Sequence, residues 1–115
     1  MIVHICDVTA WEEAQTIGEY RPDSLASEGF IHASQPGQVL DVANRFYAGR
    51  QDLLLLWIDP QRLRSELRYE PTDSDLFPHI YGALNLEAVV AVVSFPPDAD
   101  GIFRLLPIGN TDETW

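Results

Sequence analysis

Hydrophobic residues along the chain fall mainly into short extended runs, and only two segments show helical spacing. The runs that predict strands are residues 2–6, 30–34, 53–58, 67–70, 78–82 and 89–95, and the uninterrupted run at 53–58 predicts a central strand covered on both faces. Apolar residues recur every three or four positions in residues 9–17 and 38–47, which predicts two helices ended by Gly18 and Gly49. A third, short helical turn is predicted near Leu25. Strands in excess of helices are typical of an α+β domain, here with a mixed, mainly antiparallel sheet.

Local signals predict where these elements begin and end. Thr9 and Glu12 have the spacing of a capping box, in which two side chains satisfy free amides at a helix start. Residues 73–77 are predicted to form a polar loop, and Pro96-Pro97 to end the compact domain. The domain therefore spans residues 1–97. A C-terminal extension, 98–115, follows with an edge strand at residues 102–106 and a mobile tail from residue 109.

The composition is strongly acidic and limits the classes of partner. The 115 residues include 18 acidic and seven basic residues, all arginine, for a formal charge of −11. A chain with this charge repels polyanions and anionic lipid, which argues against general nucleic-acid binding and membrane adhesion. Hydrophobic residues make up 46% of the chain, which excludes a disordered protein.

Cysteine usage and hydropathy predict a cytoplasmic protein. Cys6 is the only cysteine, so no intrachain disulfide can form. The first residues lack the basic segment of a signal peptide. The longest apolar run, residues 53–58, is far shorter than the roughly 20 residues that cross a bilayer.

The three histidines, His4, His32 and His79, all lie in apolar segments that are predicted to be extended. Because strand side chains alternate between faces, His32 shares a face with Ser34, and His79 shares one with Tyr81. Each histidine can be a packed core residue bonded to a carbonyl, or all three can line one polar pocket. A zinc site is a third alternative, but the chain lacks the closely spaced Cys/His pairs typical of one.

Other candidate residues have two interpretations each. Glu70 can orient a sugar hydroxyl or act as a base, or it can be a solvated charge. Arg45 and Arg50 flank the end of the second predicted helix, where they can bind an anion or compensate the helix dipole. Trp11, Tyr20 and Trp57 fit the core, although an aromatic ring beside a pocket can also stack on a base. Cys6 is interpreted as an inert buried thiol.

Several segments together resemble domain-of-unknown-function family 952, a group of short bacterial proteins. They are VHI at residues 3–5, GFIHAS at 29–34, LWID at 56–59, Glu70, and FPHIYG at 77–82. The resemblance covers roughly the first 95 residues. The family is similar in turn to ADP-ribosyltransferase-like folds, especially the tRNA 2′-phosphotransferase type, which has a first-strand histidine and a later His-x-Ser strand in the same order.

The resemblance implies a cleft between two small sheets that holds NAD in a bent shape, with no metal. The implied reaction breaks the bond from ribose C1′ to nicotinamide and passes ADP-ribose to a small or protein acceptor. The residues implied in catalysis are His32, Ser34 and Glu70. Those implied in NAD binding are His4, on the adenosine-side ribose or the adjacent backbone, and Tyr81 or His79 on the nicotinamide ring. Trp11 and Arg45 are the other candidates for NAD binding.

Two departures from the family pattern leave other functions open. Glu70 is the only candidate for the late-strand glutamate of the transferases, and seven arginines are few for phosphorylated RNA. A binding module without catalysis is one alternative, and a structural or partner-binding domain is another. The chain is expected to be a monomer or a weak homodimer that pairs through a sheet edge.

Overall fold

Eight strands pair into three sheets in the computed structural model, which describes residues 1–73 and 75–108. The strands are β1 (Ile2–Asp7), β2 (Glu19–Tyr20), β3 (Ile31–His32), β4 (Leu53–Ile58), β5 (Glu66–Thr72), β6 (Asp75–Tyr81), β7 (Leu84–Asn85) and β8 (Val89–Ser94). The sheets have the orders β1-β4-β8, β3-β6-β5 and β2-β7. Across these ranges every strand pairing is antiparallel. The prediction of an α+β domain is confirmed. The prediction of a mixed sheet is wrong, because apolar runs carry no information about strand direction.

Strand β4 lies in the middle of the first sheet, between β1 and β8. Its side chains alternate between two cores, with Leu56 and Ile58 in one and Leu53 and Leu55 in the other. All four are at most 3% exposed. The prediction of a central strand covered on both faces is therefore confirmed.

Three α-helices pack on these sheets within residues 1–73 and 75–108: α1 (Val8–Ile17), α2 (Asp23–Ser27) and α3 (Val39–Phe46). The carboxylate of Asp7 caps α1 by accepting a hydrogen bond from the Ala10 amide at 2.7 Å. The predicted capping box at Thr9 is wrong, because Asp7 at the end of β1 already satisfies that turn. Gly18 ends α1 as predicted, with a left-handed φ of 101°. In the described part of the chain, no helix is long and apolar enough to span a membrane.

The third α-helix ends earlier than its sequence pattern predicts. Its last hydrogen bond joins the Tyr47 amide to the Ala43 carbonyl. Gly49 is not the helix cap that was predicted, since its amide donates to the Gly101 carbonyl at 2.9 Å. This glycine therefore connects the end of α3 to the C-terminal part of the chain.

Strands β5 and β6 form a long hairpin where a polar loop was predicted for residues 73–77. The prediction is wrong for residues 75–77, which lie in β6 and pair with residues 70–72 of β5. Asp73 supplies the turn with a left-handed φ of 57°. Pairing with Thr72 holds Asp75 in the sheet although aspartate is depleted in strands.

A single bridge joins the two larger sheets. Val3 in β1 and Ser34, two residues beyond β3, exchange two backbone hydrogen bonds of 2.8 Å each. Beyond this bridge the sheets diverge, because β1 continues beside β4 and β3 continues beside β6. The divergence leaves a gap between the sheets next to residues 32–34.

The C-terminal extension packs onto the domain instead of adding a strand. No strand is assigned at residues 102–106, so the predicted edge strand is wrong there. Phe103 is instead buried against Phe95 with ring centroids 4.8 Å apart. Its amide and carbonyl both bond to the side chain of Asn44 in α3, at 2.7 and 2.8 Å. The tail predicted to be mobile, residues 109–115, lies outside the described residues.

Candidate functional site

A cleft of about 1070 Å³ opens beside the bridge between β1 and Ser34. Its walls come from β1, α1, residues 19–24, β3 with residues 33–34, α3 and the β5–β6 hairpin. Five of the predicted site residues line it: His4, His32, Ser34, Arg45 and His79. The volume is close to the upper end of the about 300–1,000 Å³ typical of ligand pockets.

His4 lies at the floor of the cleft with both ring nitrogens engaged. Its Nδ1 bonds to the His32 carbonyl and its Nε2 lies 2.8 Å from the Tyr20 hydroxyl. Because a carbonyl only accepts, Nδ1 carries the proton, and Nε2 accepts from Tyr20. Burial lowers the pKa of His4 to about 4, so the ring is neutral at physiological pH.

Two other groups beside His4 are held in their protonated forms. Burial raises the pKa of the Cys6 thiol to about 12, and burial also raises the pKa of Tyr20. A thiolate nucleophile at Cys6 is therefore disfavoured, in agreement with its interpretation as an inert thiol. His4, Cys6 and Tyr20 therefore offer neutral hydrogen-bonding groups, and the Asp7 carboxylate lines the cleft beside them.

A second cluster, which we call the aromatic cluster, consists of Phe30, His32, His79 and Tyr81. The Phe30 ring stacks on His79 with centroids 4.1 Å apart and an interplanar angle of 23°. His32 meets Phe30 edge-on at 4.8 Å, and Tyr81 lies 5.3 Å from it. His32 and His79 are directly opposite each other in the β3–β6 register, which places both imidazoles on one sheet face.

Glu70 links two members of the aromatic cluster. Its Oε1 accepts a hydrogen bond from His79 Nδ1 at 2.7 Å and another from the Tyr81 hydroxyl. The hydrogen bond from Tyr81 has the largest effect on the Glu70 carboxyl and lowers its pKa, and the hydrogen bond from His79 lowers it further. The bond between Tyr81 and Glu70 also raises the pKa of the Tyr81 hydroxyl. The hairpin register explains the contact, because Glu70 is the diagonal cross-strand neighbour of His79. Glu70 is therefore an ionised carboxylate bonded to His79.

His32 is more open than the other two histidines. Its side chain is 54% exposed and its Nε2 lies 3.0 Å from a Glu28 carboxylate oxygen. Its ring centroid is 5.6 Å from that of His79, and the two rings meet edge to face. Two imidazoles, each beside a carboxylate, thus stand at one wall of the cleft.

Three other predicted site residues, Trp11, Glu70 and Tyr81, do not line the cleft. Trp11 packs in the core below α1, 6.5 Å from the Tyr20 ring, and does not line the cleft. Tyr81 and Glu70 lie behind His79, and the Arg68 guanidinium covers the Tyr81 ring at 4.2 Å. Tyr81 therefore has less free ring surface for stacking than its sequence position suggests.

The arginines at the cleft wall are paired with acids. Three line it, namely Arg21, Arg45 and Arg50. Their carboxylate partners are Glu19, Asp73 and Asp52. Such exposed ion pairs are weak, at about 0–1 kcal/mol, so an anionic ligand can displace the carboxylates. No group of three or more side chains among residues 1–73 and 75–108 is arranged to hold a metal ion.

Phe30 and Tyr20 also belong to the site, although neither was among the predicted site residues. Phe30 lies two residues before His32, so strand alternation alone places the two on one face. Tyr20 was interpreted as a core aromatic, and it is buried, but its hydroxyl donates to His4. No local pattern signals that contact, because α1 separates Tyr20 from β1 in the sequence.

The chain matches one family model, described as "Protein of unknown function (DUF952)", over residues 5–92. No curated protein matches. Among solved structures it is similar to the crystal structure of CC0527 from Caulobacter crescentus, with 28% identity and a TM-score of 0.83, over 90% of this chain and 93% of that one. It is also similar to the solution NMR structure of CC0527, with 28% identity and a TM-score of 0.79, over 90% and 91% of the two chains.

Proposed function

The chain belongs to the DUF952 family of proteins of unknown function, and we propose that its cleft binds NAD or another ADP-ribosyl compound. In this proposal the two larger sheets correspond to the split sheet of ADP-ribosyltransferase-like folds. The bound compound loses nicotinamide and its ADP-ribose passes to a small-molecule or protein acceptor.

One observation carries the proposal, namely that polar side chains from separate strands converge on one large cleft. His4 comes from β1, His32 from β3 and His79 from β6, and all three line the cleft together with Ser34. Buried polar groups at the floor of a mostly apolar pocket are typical of ligand sites, where they orient the ligand. The volume of about 1070 Å³ accommodates a dinucleotide.

Separate groups in the cleft suit separate parts of such a ligand. The neutral His4–Tyr20 pair can bond a ribose hydroxyl. The exposed His32 ring offers a polar contact for nicotinamide. Arg45 and Arg50 can turn from Asp73 and Asp52 toward the pyrophosphate.

The chemistry at C1′ needs charge stabilisation and positioning more than a covalent partner. Loss of nicotinamide develops positive charge on the ribose, which is an oxocarbenium-like state. Carboxylates beside the cleft, such as those of Glu28 and Glu70, can stabilise this positive charge. Holding NAD bent in the cleft supplies orientation, which lowers the entropic part of the barrier.

We expect His32→Ala to raise the Kd for NAD about tenfold, which corresponds to the loss of one polar contact. His32 is exposed on the cleft wall, so its removal should not disturb the fold. Isothermal titration calorimetry with NAD and with ADP-ribose measures the change. Tyr69→Ala is the matched control, because Tyr69 is exposed on β5 outside the cleft and its loss should leave the Kd unchanged.

Absence of heat from the wild type at millimolar NAD and ADP-ribose would contradict the proposal. Binding of NAD without nicotinamide release over hours would instead identify a binding module that does not catalyse transfer. Chromatography of the same samples detects nicotinamide, so one set of incubations separates the two outcomes.

A further inference from the structure

We infer that Glu70 and His79 form a general-base dyad that deprotonates a hydroxyl acceptor, either water or an alcohol. This inference rests on the proposed function and specifies the class of acceptor that the site uses. In the dyad, His79 is the catalytic base and Glu70 is a positioning residue that acts through it.

The hydrogen bond between the two side chains determines where His79 carries its proton. Nδ1 of His79 lies 2.7 Å from Oε1 of Glu70, whose hydrogen bonds from Tyr81 and His79 lower its pKa. An ionised carboxylate only accepts, so Nδ1 must donate. In the neutral ring, Nε2 then carries a free lone pair, which is the form that accepts a proton from a substrate.

The second ring nitrogen of His79, Nε2, is not completely enclosed. Within residues 1–73 and 75–108, no fully buried side-chain nitrogen or oxygen lacks a hydrogen-bond partner. The only side-chain hydrogen bond of His79 in this part of the chain is the one through Nδ1. Nε2 therefore keeps some exposed surface although the residue is only 6% exposed, and His79 lines the cleft.

The ring of His79 is held on one face and at its Nδ1 edge. Phe30 stacks on the face at 4.1 Å, while the Tyr81 hydroxyl holds the carboxylate of Glu70. Arg68 packs over the Tyr81 ring at 4.2 Å. A base that is fixed by its neighbours loses little entropy when it meets its substrate.

The other two histidines are less suited to the same task. Both nitrogens of His4 are engaged, and burial lowers its pKa to about 4, which makes it a weak base. His32 bonds to Glu28 through an exposed pair in which both side chains are about half accessible. Exposed pairs of this kind are easily broken, so they orient a ring poorly.

A general base is required only when the acceptor must lose a proton as it attacks. In the proposed step, the acceptor O–H gives its proton to Nε2 of His79 while its oxygen bonds to ribose C1′. The bond from C1′ to nicotinamide breaks, and its electron pair moves onto the ring nitrogen, which becomes neutral. Glu70 stabilises the imidazolium that forms. A carboxylate or phosphate acceptor has no such proton, so the dyad points to water or an alcohol.

Nitrogen-15 NMR of the imidazole side chains tests the dyad without any ligand. We expect the neutral His79 ring to carry its proton on Nδ1 in the wild type, and to shift toward the Nε2–H form in Glu70→Ala. His4 provides an internal reference, since its bond to the His32 carbonyl also requires Nδ1–H. A wild-type His79 protonated on Nε2 would overturn the inference whatever the protein binds.

Nicotinamide release from NAD tests the role in catalysis. We expect His79→Gln and Glu70→Gln to lower kcat by about 10²-fold or more, the range of general-base catalysis, with KM unchanged. Glu87→Gln is the matched control, because Glu87 pairs with Arg64 away from the cleft and should leave kcat unchanged. Wild-type rates in both dyad variants would overturn the dyad and leave the proposed function intact.

Product analysis separates the two acceptors. ADP-ribose that accumulates in plain buffer identifies water, whereas release that begins only when an alcohol is added identifies a hydroxyl acceptor, and both support the dyad. If the wild type neither binds NAD nor releases nicotinamide, the proposed function fails, and the proton position on His79 then decides whether the dyad exists.

Discussion

Replacing Phe103 with alanine is expected to lower the free energy of unfolding by about 3–5 kcal/mol, the typical cost of removing a buried phenylalanine ring. Phe103 is 2% exposed and packs on Phe95 within the core that also contains Val39 and Ala43 of α3. The ring leaves a cavity when it is removed, because these neighbours belong to a sheet and a helix that cannot close around it.

The substitution isolates the side chain from the backbone contacts of the same residue. The amide and carbonyl of Phe103 bond to Asn44, and neither bond depends on the ring. Urea denaturation followed by circular dichroism measures the change, and the slope of the transition should stay constant because the unfolded chain exposes a similar surface.

Leu105→Ala is the matched control for Phe103→Ala. Leu105 lies two residues further along the same extension and is 79% exposed, so its loss should change stability by less than about 0.5 kcal/mol. Equal and small effects of the two substitutions would show that residues 98–108 are a passive extension, as the sequence-based boundary at residue 97 implies. Unequal effects would show that the extension belongs to the folding unit.

Acidification from pH 7 to pH 4 is expected to cost the protein about 3 kcal/mol through His4 alone. The pKa of His4 is lowered to about 4 in the fold, chiefly by burial, and rises to an ordinary value near 6.5 when the chain unfolds. Between these two values the unfolded chain binds the proton and the folded chain does not. Stability is therefore greatest above about pH 6.5 and falls as the pH drops toward 4, below which His4 contributes no further change.

Comparison with His4→Asn isolates this contribution from those of other groups. The asparagine amide keeps a donor near the position of Nδ1, but it does not titrate. Carboxylates with lowered pKa, such as Glu70 and Asp75, also destabilise the fold in acid, but mainly below about pH 5. We expect the wild type to lose about 2 kcal/mol more than His4→Asn between pH 6.5 and pH 5.

Urea titrations at several pH values measure both proteins. Parallel stability curves for the wild type and His4→Asn would mean that His4 titrates normally in the fold. That result would contradict the neutral, doubly bonded His4 at the floor of the cleft.

The candidate site was only partly predictable for a geometric reason. His32 and Phe30 share a face through the alternation of a strand, which is a local property. The contact between Glu70 and His79 depends on the β5–β6 register, which places the two side chains diagonally across the hairpin. The sequence pattern predicts a loop at residues 73–77. That loop would leave residues 75–77 unpaired, whereas in the structure they pair with residues 70–72 and set this register.

Local patterns in the sequence determined the α+β class, the central strand β4 and the glycine that ends α1. Each follows from the apolar spacing or backbone preference of a few neighbouring residues, and the structure confirms each. Sequence also identified the three histidines as candidates, because polar rings on apolar strands need partners.

Only the tertiary structure decided which partners those histidines have and which residues the core includes. His4 bonds to Tyr20 across α1, Glu70 lies beside His79, and Phe103 fills a core although it lies beyond the domain boundary predicted at residue 97. These contacts join positions that are far apart in the chain or depend on register. Short-range spacing does not encode such contacts, because they arise from how separate elements pack.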